Sequence, residues 1–232
     1  MTRALIMAGG ADEKWTARGG QGRRHFQVIC GERVIDRIVR QLRERGITDV
    51  GIISPPDIAE YDIPGTFRVR PTDTAHTHEG LNGRHYWHEQ RRTIMVYGDT
   101  VFADAAMDRV AGFERRSFQM FGRFGNFMRG RVLVKGGGGE LFAFSFWPEH
   151  RDAWEAAVRM SFDLKERSMI KRGGSWEAYR IMGGARGRVV GRHRLYPKVF
   201  TNINDGLTDD FDTPEQFAKL KALHEGIDTR AA

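Results

Sequence analysis

The chain has 232 residues, enough to bury one full hydrophobic core, and no Ser/Pro-rich linker divides it, so residues 1–232 are expected to form a single domain. Lys and Arg outnumber Asp and Glu by 37 to 30, giving a formal net charge of +7 and a sequence pI near 9.8, a balance that favours polyanionic partners. No apolar run approaches membrane-spanning length and the single cysteine, Cys30, excludes an intramolecular disulfide, so a soluble, cytoplasmic protein that meets no membrane is expected.

Ala4 to Met7 reads as an apolar strand that runs straight into Ala8-Gly9-Gly10. A glycine turn at the carboxyl end of a strand exposes backbone N–H groups, and phosphate oxygens or a base edge are their usual partners. The adjacent glycines do not fit the G-x-G-x-x-G dinucleotide pattern, and no Gly-Lys-Ser or Gly-Lys-Thr follows, so two common cofactor loops are excluded. A long basic loop comes next. Residues 33 to 45 then place Val34, Ile35, Ile38, Val39 and Leu42 on one helical face, with Gly46 as the stop. Val50 to Ser54 reads as a second strand closed by Pro55-Pro56, and Thr66 to Arg70 as a third before Pro71. Strand, helix, strand predicts a parallel sheet.

Thr93 to Tyr97 is a further buried strand, ending in Gly98-Asp99-Thr100 ahead of a short helix around Asp104 to Phe113. Ligands of open α/β sheets gather at such strand ends. Strands are expected at Phe118 to Phe121, Arg131 to Val134 and Leu141 to Phe146, the last led by the glycine run 136 to 139. Pro148 opens a helix toward Met160. The segment 163 to 194 is polar and punctuated by glycine, with one or two helical turns at Trp176 to Met182. Val199 to Ile203 reads as a strand. After an acidic loop, Thr213-Pro214-Glu215-Gln216 supplies the N-cap, first-turn proline and capping-box glutamine of a helix running to His224.

Three of these stretches carry a resemblance. LIMAGGADEKW followed by GRRHFQVICGERVIDRIVRQL is similar to the A-G-G-x-G-x-R loop, P-K-H-L and G-E-P-L helix start of the GT-A-like nucleotidyltransferases. That family includes the sugar-phosphate nucleotidyltransferases and the molybdenum-cofactor guanylyltransferases. Strand-Gly98-Asp99 matches its mid-chain aspartate, and Asp210-Phe211-Asp212-Thr213-Pro214-Glu215-Gln216 resembles its late D-I-[DGN]-T-P-E-D motif. The likeness is strongest over residues 4 to 45 and 93 to 107, and moderate over 139 to 146 and 199 to 217.

The resemblance implies a three-layer α/β/α sandwich with a mostly parallel, Rossmann-like sheet of the GT-A type. It implies a Mg²⁺-dependent enzyme that condenses an NTP with a sugar 1-phosphate or related phosphate and releases pyrophosphate. Asp99 and Asp210 would hold the Mg²⁺, with Asp205, Asp209 and Asp212 as close competitors for the second place. Lys14 stands where the family has its loop arginine, and Arg24 where it has the lysine of P-K-H-L, with Arg23 in place of the proline. Lys14 and Arg24 would neutralise the phosphates, although a guanidinium fork and an ammonium address phosphate differently. Ala8, Gly9, Gly10, Asp73 and Thr74 would contact the nucleotide, and Gly139 and Glu140 the acceptor sugar.

Several of these residues have plainer explanations. Gly-Asp is a frequent turn pair, and acidic residues ahead of a helix interact favourably with its dipole without any metal. Glycosyltransferases share the fold but usually carry D-x-D at the metal strand, where this chain has Asp99-Thr100-Val101. The exchanges at positions 14, 23 and 24 leave a non-catalytic nucleotide or nucleic-acid binder as the reading from another class. His76, His78, His85 and His88 have no cysteine or acidic cluster to complete a zinc site, and are expected on a surface helix. The phenylalanines and arginines interleaved between Phe113 and Arg131 fit a half-buried strand.

Overall fold

The structure is a computed structural model that describes residues 1–10, 12–71, 81, 83–129, 132–135 and 139–226. Asp73, Thr74, His76 and His78 lie outside the described residues.

β1 (Arg3–Met7) is covered on both sides, Ala4 and Ile6 joining one hydrophobic cluster and Leu5 and Met7 the other. A strand buried on both faces needs a continuous apolar run rather than an alternation, and Ala4 to Met7 is such a run. It is followed by α1 (Glu13–Ala17), a tight hairpin of β2 (Val28–Ile29) and β3 (Glu32–Arg33), α2 (Val34–Glu44), β4 (Asp49–Ile53) and β5 (Phe67–Val69). The middle of the chain forms β6 (Thr93–Tyr97), β7 (Thr100–Val101), α3 (Asp104–Ala111), β8 (Gln119–Arg123), β9 (Phe127–Arg129), β10 (Val132–Lys135) and β11 (Glu140–Phe146). The last third adds α4 (Arg151–Glu166), α5 (Ser175–Met182), β12 (Phe200–Asn202), β13 (Asp209–Asp210) and α6 (Pro214–His224).

Seven strands form the central sheet in the order β12-β8-β11-β6-β1-β4-β5. The pairs are parallel except at β11, which runs against both β8 and β6. Buried residues of α2, α3 and α6 pack in the cluster on one face, among them Ile35, Ile38, Met107, Phe217 and Leu220. Trp154, Val158, Ala178 and Tyr179 of α4 and α5 pack in the other. The result is the expected three-layer α/β/α sandwich with a mostly parallel sheet.

Two stretches depart from the sequence reading. The basic loop after Gly10 contains α1, because Trp15 is buried edge-on against Phe211 and Phe217 and draws a helical turn down onto the core. The histidine-bearing surface helix is not found among the described residues. There His85 sits in a single 3₁₀ turn, Arg84–Tyr86, and a series of bends leads to β6, with Trp87 buried against Phe146 and the His88 N–H donated to Thr93 Oγ1. Among the described residues no helix is long and apolar enough to cross a membrane.

Two local features bring distant segments to the same sheet edge. The Gly98 N–H is donated to the Met7 carbonyl at 2.9 Å, and a Cβ at Gly98 would stand 2.8 Å from that oxygen. Only glycine lets the end of β6 approach the end of β1 so closely. β13 then pairs antiparallel with β7, setting Asp209 opposite Val101 and Asp210 opposite Thr100, and the Phe211 N–H is donated to the Asp99 carbonyl.

Candidate functional site

The site is organised around one guanidinium. Arg24 opens a 3₁₀ turn, Arg24–Phe26, whose middle residue is anchored in the interior. His25 is buried, with Nδ1 2.8 Å from the Tyr61 hydroxyl, and burial, aided by Arg24 and Arg23, pushes its pKa down to about 3. A neutral imidazole therefore pins the turn and aims Arg24 toward the sheet edge.

Arg24 Nη1 lies 2.9 Å from Asp99 Oδ2 and 3.0 Å from Asp212 Oδ1. Burial alone would lower the Arg24 pKa, but Asp99, then Asp12, Asp212 and Asp210, outweigh it and hold the pKa raised. Lys14 Nζ, at the tip of a side chain that is three-quarters exposed, meets the other oxygen of Asp212 at 2.8 Å. Asp212 thus links the two cations that the sequence singled out. Its own backbone N–H is donated to Gln216 Oε1 at 2.7 Å, so the capping glutamine of α6 orients it.

Asp12 completes the cluster. Its Oδ1 stands 3.2 Å from Arg24 Nε, yet neither atom makes an aligned hydrogen bond, and both are buried. Arg23 Nη1 reaches its other oxygen at 3.4 Å. Burial pushes the Asp12 carboxyl up, and the two arginines offset this only in part. Asp12, Glu13, Lys14, Trp15, Arg24 and Asp212 line a cleft of about 200 Å³ beside the glycine loop.

The candidates of the sequence analysis separate as follows. Asp99, Lys14 and Arg24 come together, and Asp212 joins them. Asp210 sits one strand over, opposite Thr100, within electrostatic reach of Arg24. Asp209 is spent on a buried ion pair with Arg123, and Asp205 caps a turn by accepting from the N–H groups of Leu207 and Thr208. The Ala8 N–H is donated to the Ile53 carbonyl and so is already engaged within the sheet. A Cβ at Gly10 would stand 3.4 Å from Arg24 Nη2, so the loop borders the guanidinium directly. Gly139, at a φ of +111°, and Glu140 lie across from Arg123, which pairs with Asp209 of β13.

Asp12 is the residue that motif reading passed over. The signal was present: position 12 is where A-G-G-x-G-x-R has its third glycine, and an acid there faces the two arginines that replace proline and lysine.

Asp99 and Asp212 direct hard oxygen donors at one point, the chemistry that Mg²⁺ prefers, and Arg24 Nη1 occupies that point. Among the described residues, no group of three or more His, Cys, Asp or Glu side chains is disposed to hold a metal ion.

The topology decides the fold. This chain has the fold of the GT-A-like nucleotidyltransferases. It superposes on a structure assigned as a glucose-1-phosphate thymidylyltransferase of Bacillus anthracis, in complex with sucrose, with a TM-score of 0.63 and 13% identity over 99% of this chain and 97% of that one. A UDP-glucose pyrophosphorylase from Acinetobacter baumanii gives a TM-score of 0.62 and 10% identity, covering 99% and 95%. The inositol-1-phosphate CTP transferase of T. maritima gives 0.58 and 11%, covering 100% and 98%. At these identities the likeness is one of fold. No protein-family model matches the sequence, and no curated protein matches it.

Proposed function

We propose that this protein is a single-domain cytoplasmic nucleotidyltransferase that condenses a nucleoside triphosphate with a sugar 1-phosphate or related phosphate and releases pyrophosphate. The observation that carries the reading is the meeting of Lys14, Arg24, Asp99 and Asp212 beside the Gly9-Gly10 loop, at the sheet edge where ligands of open α/β folds bind. The neighbours named above, which act on nucleotides and sugar or inositol phosphates by their descriptions, support the same reaction class.

The acceptor oxygen of a phosphate is already anionic, so no general base is needed. What the protein must supply is alignment with the α-phosphorus and neutralisation of charge as pyrophosphate departs. Lys14 and Arg24 turn from Asp212 and Asp99 to the triphosphate, and Gly9 and Gly10 bind phosphate through their N–H groups. Asp73 and Thr74 contact the nucleotide, and Gly139 and Glu140 the acceptor. Asp99 and Asp212, with Asp210 adjacent, are the residues that would hold Mg²⁺, which when bound contributes charge neutralisation at the phosphates.

A second reading, a nucleotide binder without transfer, draws on Asp12: the cations facing the cleft are already paired with carboxylates of the same chain. Pyrophosphate release measured over the four NTPs, each with a pool of sugar 1-phosphates and Mg²⁺, separates the two. Release by the wild type that vanishes in Asp99→Ala supports the transferase. Nucleotide binding without release under every combination supports the binder, and turnover of nucleotide sugars alone would make the chain a glycosyltransferase.

A further inference from the structure

The position between Asp99 and Asp212 is filled by the chain itself. The same nitrogen, Arg24 Nη1, accepts no sharing with a metal: it lies 2.9 and 3.0 Å from the two carboxylate oxygens, whereas Mg²⁺ would need both oxygens at about 2.0–2.1 Å and would occupy the same volume. An arginine cannot vacate such a position by losing its proton, so it leaves only by moving. At its other end Nε is ion-paired with Asp12 Oδ1 at 3.2 Å, a contact without an aligned hydrogen bond. Nη2 already borders the glycine loop at Gly10 and the cleft lined by Lys14. An anionic phosphate bound at that loop would stand beside Arg24 Nη2.

We propose that Arg24 is the resident cation of the Asp99–Asp212 pair and competes with a divalent metal for it, so that the resting protein takes up metal only after a phosphate has drawn Arg24 away. The inference rests on reading Asp99 and Asp212 as the metal pair of the proposed enzyme, and it imposes an order in which nucleotide precedes metal. Lys14 is not an equivalent competitor, because among the described residues its ion pair is with Asp212 alone and from the exposed side.

The test is metal binding in the absence of nucleotide, read by calorimetry and by the electron paramagnetic resonance of Mn²⁺. The wild type is expected to show no saturable Mn²⁺ site up to millimolar concentration. Arg24→Gln is expected to bind one Mn²⁺ about tenfold or more tightly than the wild type, and Arg24→Gln/Asp99→Asn to lose that site again. Wild-type binding as tight as that of Arg24→Gln, or no gain in a folded Arg24→Gln, overturns the proposal. Should Arg24→Gln fail to melt cooperatively, ¹⁵N spectra of the arginine side chains in the wild type give the answer, with the Arg24 resonance assigned by its loss in Arg24→Lys. Millimolar Mg²⁺ alone should leave that resonance in place and a non-hydrolysable nucleoside triphosphate should shift it. Displacement by Mg²⁺ alone overturns the proposal. None of these readouts needs turnover, so a chain that competes in this way but releases no pyrophosphate would sink the transferase reading and leave this one standing.

Discussion

Arg123 and Asp209 form an ion pair at 3.1 Å with side chains only 2% and 3% exposed, and the Asp209→Ala variant asks how much of the fold depends on it. Arg123 also donates to the Gly125 carbonyl and lies over the Phe127 ring, so truncating Asp209 leaves the guanidinium buried with, among the described residues, one neutral acceptor. Removing one partner of a buried pair costs about 3–5 kcal/mol, because the remaining charge keeps its desolvation penalty and loses its compensation. That is a large part of the 5–15 kcal/mol that holds a domain together. With a urea m-value of roughly 3 kcal/mol/M, the unfolding midpoint should fall by about 1 to 1.7 M. The loss should extend to the site, since Asp209 is half of the two-residue strand that sets Asp210 and, two residues on, Asp212. An Arg123→Met/Asp209→Leu double variant, which removes both charges and keeps the volume, should recover most of the lost stability. A loss below about 1 kcal/mol in Asp209→Ala would refute the reasoning, since it would mean that water solvates Arg123 as well as the carboxylate does.

Three further variants probe the route from backbone to site. Gly98→Ala places a Cβ 2.8 Å from the Met7 carbonyl and 3.2 Å from both Ala8 Cβ and His25 Cδ2, so it should cost about 1–3 kcal/mol in urea unfolding and reduce nucleotide binding, because the Asp99 end of β6 must move away from the loop; unchanged binding would break that link. Gln216→Ala removes the acceptor of the Asp212 N–H while sparing every charge, and is expected to lower kcat of the proposed transfer by several-fold with little change in melting temperature, whereas equal kcat would show that Asp212 is held by other means. His25 stays neutral in the fold down to about pH 3, while an unfolded histidine titrates near 6.5. Between those values the unfolded state binds the extra proton, so stability should fall as pH falls, by roughly 1 kcal/mol per unit, and His25→Asn should flatten the slope of urea midpoints from pH 6.5 to pH 4; an identical slope in both proteins would contradict the assigned pKa.

Much of the architecture was legible because it is written in local periodicity. Val34 to Leu42 carry a helical face, and α2 occupies those residues. Thr93 to Tyr97 was bounded correctly because β6 is buried on nearly every residue and stops at a glycine. The Thr213 cap was also legible, although Gln216 reaches back to the N–H of Asp212 rather than to that of the capping residue. Where the reading failed, a long-range contact had overruled the local pattern. Trp15 folded a helical turn into a stretch that reads as loop, and buried Trp87 limits the described part of the histidine segment to a 3₁₀ turn followed by bends. Nothing nearby in sequence announces what a tryptophan will be buried against.

By itself, then, the sequence determined the elements, the glycine loop, the Gly98-Asp99 strand end and the acidic approach to the last helix, because each depends on residues within a few positions of one another. The tertiary structure alone decided that β11 runs against its neighbours, which takes pairing with β8 and β6 at once. It also decided that Asp212 meets the same guanidinium as Asp99, with Asp210 within electrostatic reach. Pairing of β13 with β7 spends Asp209 on Arg123 and presents Asp212, more than a hundred residues downstream of Asp99, to the same guanidinium nitrogen. A carboxylate's charge is a property of its residue type, but its partner is a property of distance, and the distances between segments so far apart in the chain exist only once the sheet has formed.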